Sequence, residues 1–338
     1  MDIYKPPYTV TSKMLHLVAE IAESIGRYSA IAESSMTPRL RRTNRIRSIH
    51  ASLAIENNTL SIEQVTAVID GKRVMGLPQE IQEVRNAFGA YEQMEKWNPT
   101  SSSDLLEAHG LLMAGLVDNP GVYRGGGVGI FKGEKVAHLA PPANRVYGLM
   151  QDLMTWLKET KEQPLIISSV FHYEFEFIHP FSDGNGRLGR LWQTLILSNW
   201  KSIFRYIPIE TIIYDRQQAY YRYLAQSDKE GKSTSFVEFM LESIKDAIDQ
   251  ALETEQVTEQ VTEQVKALIL CLKQNSRSTR ELMQTLKLNH RPTFLYDYLQ
   301  PALNKGYVEM TQPDSPKSPT QKYRLSEQGR KILPLISS

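Results

Sequence analysis

One cysteine in 338 residues rules out a large class of protein. A lone thiol cannot close an internal disulfide, so the chain is not a stapled secreted domain and a reducing cytoplasm is the expected compartment. That thiol, Cys271, lies in the apolar run Leu268-Ile269-Leu270-Cys271-Leu272. An apolar helix face raises a thiol's pKa, so a nucleophilic role is not expected of it. Also absent is any apolar run near the roughly 20 residues of a membrane span. The start, Met1-Asp2-Ile3-Tyr4-Lys5-Pro6-Pro7, lacks the basic opening and apolar core of a secretory signal. With 41% hydrophobic residues and a net charge of +1, the composition is that of a soluble globular protein of two or three domains with no membrane partner.

The informative stretch is residues 179–190, His-Pro-Phe-Ser-Asp-Gly-Asn-Gly-Arg-Leu-Gly-Arg. An imidazole, a carboxylate, a carboxamide and two guanidinium groups crowd into twelve positions, a mixture no core accepts without partners. Helical patterns flank it, Leu165 to Ile178 before and Leu188 to Trp200 after, so the stretch is a turn between two helices. Gly184 and Gly186 let the backbone approach a ligand, and the second helix begins there with open N–H groups and the positive end of its dipole. A phosphate site follows. Asp183 offers a hard oxygen for Mg²⁺. Asn185 can donate to a phosphate oxygen, and Arg187 and Arg190 can clamp further phosphates. His179 is the one group in the motif that can take a proton near neutral pH.

The stretch resembles the signature of the Fic (filamentation induced by cAMP) family, His-Pro-Phe-x-Asp/Glu-Gly-Asn-Gly-Arg-x-x-Arg, at every specified position. The resemblance implies a mainly α fold, a helical bundle with a β-hairpin flap, and transfer of AMP from ATP to a Tyr, Ser or Thr hydroxyl of a target protein. By that resemblance His179 is the general base and Asp183 the Mg²⁺ ligand. Asn185 with the Gly184 to Gly186 backbone cradles the α- and β-phosphates, and Arg187 and Arg190 hold the β- and γ-phosphates. In a related phosphotransferase branch Lys stands at the position of Gly186, so glycine favours nucleotidyl transfer.

Upstream, Ser52-Leu53-Ala54-Ile55-Glu56-Asn57 puts Ser52 and Glu56 on one helical face, with Asn57-Asn58 as a stop and Ser61 and Gln64 as a capping box. The pattern resembles the inhibitory helix of self-inhibited Fic proteins (about residues 45–57), in which Glu56 would pair with Arg190 and displace the γ-phosphate. Arginines at 39, 41, 42, 45 and 47 read either as a patch for an anionic partner or as a solvated helix face. Glycines 125–127 and 129 with Val128 to Phe131 and Val136 to Leu139 read as a hairpin, either a surface ornament or the family's flap over the site. His138 is expected to be a flap side chain and not a second base. Tyr221 matches a tyrosine lining the family's adenine pocket, with core packing as the alternative.

Four segments are expected: 1–110, an N-terminal helical region; 111–248, the catalytic core; 249–265, a helical connector; and 266–338, a small domain. The connector carries Thr-Glu-Gln-Val three times from Thr254 to Val265, a valine stripe suited to docking a neighbour or a second subunit. In 266–338, three helical patterns precede strands at Tyr307 to Met310 and Lys322 to Leu325, an order resembling a winged helix-turn-helix. Twelve Lys and Arg stand there against five Asp and Glu, an excess of seven suited to DNA, although winged helices also bind proteins. Three further readings stay open. The chain could be a DNA-binding regulator whose Fic-like domain senses nucleotide, a transferase of another nucleotide or phosphodiester group, or an enzyme removing AMP with Glu56 orienting water.

Overall fold

The structure, a computed structural model, describes residues 4–35, 38–126, 129–132, 135–316 and 318–336. Helix α1 spans Ser12–Ser35, α2 Pro38–Ile55, α3 Ile62–Ile69, α4 Pro78–Gln93 and α5 Ser102–Leu112. A hairpin of β1 (Gly129–Lys132) and β2 (Lys135–Leu139) follows, then α6 (Ala143–Glu159), α7 (Pro164–Ile178), α8 (Asn185–Trp200), α9 (Ile209–Asp215), α10 (Gln217–Glu230) and α11 (Thr234–Gln260). The expected mainly α fold is observed. None of the described helices is long and apolar enough to cross a membrane.

Two compact units divide the chain, residues 1–30 with 40–250, and residues 31–39 with 251–338. The expected segment boundary at 110 falls inside α5, whose Leu105 and Leu112 are core residues, and residues 40–250 belong to one unit. The first unit's centre is the α7–α8 pair. Pro164 opens α7 where its missing N–H costs nothing, with Gln163 capping Leu165 N at 2.6 Å, and the helix is buried from Leu165 through Glu176. The two helices come close at Gly189, where an added Cβ would lie 3.0 Å from Glu176 Oε1 and 3.3 Å from the Phe175 ring. Between them His172 Nδ1 and Gln193 Oε1 stand 2.6 Å apart, and Tyr220 OH lies 3.0 Å from His172 Nε2. Burial pushes the His172 pKa down to about 3, so the ring is neutral and donates from Nδ1 while accepting at Nε2.

At the arginine-rich start of α2, Arg41 and Arg42 are exposed, as a solvated face requires, and the arginines have partners there. Arg42 pairs with Asp70 at 2.5 Å, Arg45 pairs with Glu92, and Arg41 covers the Tyr206 ring at 5.1 Å. The side chain of Arg39 lies outside the described residues, as do those of the hairpin, including His138.

The connector needs correction. The Thr-Glu-Gln-Val copies continue α11 as far as Gln260 and the helix stops at Val261, whereas Thr262 of the third caps Val265 N at 3.3 Å and starts α12 (Glu263–Cys271). The second unit then runs β3 (Arg277–Ser278), α13 (Thr279–Thr285), α14 (Arg291–Thr293), a π-helical stretch Phe294–Leu299, α15 (Gln300–Asn304), β4 (Val308–Met310), β5 (Lys322–Leu325) and α16 (Glu327–Ile336). Pro301 has no N–H to donate backward, which accounts for the wide turn just before it. The antiparallel order β3-β5-β4 beside these helices fits a winged helix-turn-helix. Helix α16, absent from the sequence reading, packs Ile332 and Ile336 into that unit's core.

Candidate functional site

The motif forms the turn between α7 and α8. α7 ends at His179, which sits in the left-handed region at φ 49° and ψ 62° while its N–H reaches Phe175 O at 2.9 Å. A β-carbon makes this conformation cost about 1–2 kcal/mol, and glycine usually takes the position. Something must hold it, and Arg124 does. Although only 6% exposed, Arg124 donates to the carbonyls of His179 (2.7 Å), Ile178 (3.3 Å), Gly126 (2.9 Å) and Pro141 (2.6 Å), and its own N–H meets Pro180 O at 2.9 Å. One guanidinium thus ties the backbone of His179 to both ends of the hairpin segment. Its burial pulls its pKa down.

The rest of the turn is fixed from within and from α5. Asn185 Oδ1 accepts from Phe181 N at 2.9 Å and its Nδ2 donates to Phe181 O at 3.0 Å, with the side chain buried. The side chain thus staples the loop through its oxygen and one Nδ2 hydrogen, and the residue's backbone N–H lies on the open first turn of α8. His109 stacks on Phe181 at 3.6 Å, accepts from Gly121 N at Nδ1 (2.8 Å) and so donates from Nε2 to Asp183 O at 3.0 Å. Burial keeps it neutral by lowering its pKa. Gly184 caps α8 at φ 82°, and a Cβ there would meet Met113 Sδ at 2.5 Å.

Both motif arginines face inward and both are held by carboxylates. Arg190 is 2% exposed and donates to Ser52 Oγ (3.1 Å), Ser52 O (2.9 Å) and Glu56 Oε1 (2.7 Å). Burial acts to lower its pKa, and the Glu56 charge and hydrogen bond, with Tyr220 and Glu176 nearby, together more than reverse that, so the net direction is upward. Arg187 lies between Glu83 Oε1 and Asp183 Oδ1, each at 3.0 Å. Gly186 is the position where a Cβ would collide with the Glu56 carboxylate.

The end of α2 is held in turn by α9 and α10. Ser48 donates to the buried Glu210 at 2.8 Å, as do Tyr91 at 2.8 Å and Thr194 at 3.2 Å, while Gln217 Nε2 reaches Ile55 O at 2.8 Å. Tyr221 is 42% exposed with its hydroxyl 3.5 Å from the same carbonyl. Burial pushes the Tyr221 pKa up to about 12, so the phenol stays protonated. Asn57 at φ 67° turns the chain away after Glu56. The structure therefore brings His179, Asp183, Gly184 to Arg187, Arg190, Ser52 and Glu56 together, with Tyr221 at the end of α2. Arg124, His109, Glu83, Gln217 and Glu210 escaped the sequence reading because each is a single polar residue whose partners lie dozens of positions away.

Comparison with known proteins fits this geometry. A family model described as Fic/DOC family matches residues 99–197, and one described as Filamentation induced by cAMP protein Fic-like, C-terminal domain, matches residues 263–326. A solved Fic family protein from Desulfovibrio desulfuricans G20 is 61% identical, with a TM-score of 0.73, over 96% of this chain and 99% of that one. The chain belongs to the Fic family. Fic-1 from C. elegans, 20% identical with a TM-score of 0.57 over 72% of this chain and 74% of that one, shares the fold. Among curated relatives, Protein adenylyltransferase Fic from Aedes aegypti is 27% identical over 229 residues, 63% of this chain and 43% of that protein. This Fic chain spans less than half the length of the curated relatives it matches first.

Proposed function

We propose that the chain is a self-inhibited protein adenylyltransferase. One observation carries the reading: a carboxylate, Glu56, is seated on the buried guanidinium of Arg190 at the open N-terminus of α8, where an anionic phosphate belongs. An anion site filled by the chain's own anion is an anion site kept shut. With Glu56 withdrawn, Arg187, Arg190 and the α8 amides hold the triphosphate of ATP. His179 takes the proton from a target Tyr, Ser or Thr hydroxyl. The hydroxyl oxygen bonds to the α-phosphorus, the α–β bridging P–O bond breaks, and pyrophosphate leaves. Positioning and charge stabilisation supply most of the rate.

Among the described residues no cluster of three or more acidic, His or Cys side chains could hold a metal by itself. Asp183, with a side chain 58% exposed, offers one carboxylate, which fits Mg²⁺ carried in on the nucleotide's phosphates. When bound, the ion neutralises phosphate charge. The experiment is transfer of labelled AMP to the chain itself or to lysate proteins by Glu56→Gly, with Glu56→Gly/His179→Ala as the control. The double variant should bind ATP normally yet lose about 10²- to 10⁴-fold in transfer. Loss of ATP binding in that variant would make His179 structural.

For the second unit we propose duplex DNA as partner, supported by the excess of seven basic residues over 266–338 and by the exposure of Arg291 and Lys305 on either side of the π-helical stretch.

A further inference from the structure

The two motif arginines are held by carboxylates of opposite character. Glu56 lies just past the end of α2, in a turn, and its side chain is 32% exposed, so it can withdraw. Glu83 sits in the middle of α4, and its side chain is 12% exposed against an Arg187 side chain 7% exposed. The backbone of a mid-helix residue does not withdraw without moving α4, whose neighbouring Val84, Ala87 and Ala90 are core residues.

Both oxygens of Glu83 are committed. Oε1 accepts from Arg187 Nη1 at 3.0 Å, and Oε2 accepts from Asn58 Nδ2 at 2.8 Å, the same amide also reaching Glu80 O at 3.2 Å. Glu80 Oε1 in turn takes Thr59 N at 2.6 Å. The carboxylate is thereby aimed, and it fixes the plane of the guanidinium it meets. Arg187 also bonds Asp183 Oδ1, but that carboxylate is the exposed one proposed for the metal. Once Asp183 serves a cation, Glu83 is the anion left to orient Arg187. The buried Nε–H of Arg187 meets no acceptor among the described residues, so one donor of this group is still uncommitted.

We infer that Glu83 is a positioning residue: it braces Arg187 for the β-phosphate of the nucleotide, and it stays in place when Glu56 leaves. This rests on the adenylyltransferase reading, because it needs a nucleotide whose phosphates reach Arg187. It differs from inhibition in sign. A second inhibitor would weaken nucleotide binding and its removal would tighten it, whereas a brace strengthens binding and its removal loosens it.

The test is calorimetric titration of AMP, ADP and ATP, each with Mg²⁺, into the full chain carrying Glu56→Gly, with and without Glu83→Ala or Glu83→Gln. Glu83→Ala should raise the Kd of ADP and ATP about tenfold or more while changing AMP less than twofold, since AMP has no β-phosphate. Glu83→Gln keeps an acceptor oxygen and should recover part of the loss, and it serves as the folded variant should the alanine form not melt cooperatively. Unchanged or tighter ADP and ATP binding would overturn the inference, as would an equal loss for AMP, the mark of a merely structural residue. Failure of the Glu56→Gly parent to bind any of the three nucleotides would overturn the adenylyltransferase reading first, and this inference with it.

Discussion

Glu56→Gly should convert a nearly silent chain into an active one, and the structure sets the scale. The contact removed is a single charged hydrogen bond of 2.7 Å to a guanidinium whose side chain is 1% exposed. Such bonds are worth about 1.5–3 kcal/mol, and the exposure of Glu56 argues for the lower half of that range. A phosphate that must displace the carboxylate gives up that amount. At about 1.4 kcal/mol per tenfold, the triphosphate should bind roughly 10- to 30-fold more weakly to the wild type. A misdirected α-phosphorus would widen the gap in turnover, since an error of about 1 Å can cost roughly 100-fold. Stability moves the other way. Arg190 keeps both contacts to Ser52 but loses its counter-charge, so the variant should be about 1–3 kcal/mol less stable, a fall of about 2–4 °C in Tm for each kcal/mol. Because Glu56 lies beyond the last residue of α2, glycine there breaks no helix. The assays are ATP titration by calorimetry and self-modification with labelled ATP. Adding Arg190→Ala should erase the gain, because both changes act through one phosphate contact. Equal ATP affinity and equal self-modification in wild type and Glu56→Gly, with both proteins folded, would refute the inhibitory role.

Two other outcomes are open to measurement. Glu174 is 3% exposed, bonded by Tyr4 OH at 2.9 Å, and burial pushes its pKa up from 4.5 to about 7 against the opposing effect of that hydrogen bond. A raised folded-state pKa means the contribution is full below about pH 4.5 and is lost as pH rises through about 7, at about 1.4 kcal/mol per unit, so roughly 3 kcal/mol is gone by pH 8. Denaturant titrations from pH 4.5 to 8.5 should show Glu174→Gln gaining on the wild type across that window, and parallel curves would mean that the carboxyl titrates normally. For the second unit, the full chain should bind labelled duplex DNA with an affinity falling steeply with salt, and Arg291→Ala/Lys305→Ala should flatten the slope by about two. Binding that ignores salt, or none at low salt, would point to a protein partner.

What could be read from the sequence was whatever is local in the chain. Twelve consecutive residues carried the family signature because a helix–turn–helix corner gathers its groups from neighbouring positions. The capping box at Ser61 and Gln64 was legible for the same reason, and so was the hairpin, whose glycines and two flanking apolar stretches are close in the chain. The pairing of Glu56 with Arg190 joins residues 134 positions apart, and nothing in the spacing of either residue implies it without the family likeness. Tertiary structure alone decided that the Asn185 carboxamide staples the loop, since the Phe181 N–H and C=O come within its reach only when the turn closes. It alone brought Arg124 to the His179 carbonyl across 55 positions, His109 to Asp183 across 74, and Glu83 to Arg187 across 104. A single Arg, His or Glu has no periodicity to reveal it. Its role comes from which buried backbone or charge it must satisfy, and the packing of α4, α5, α7 and α8 settles that.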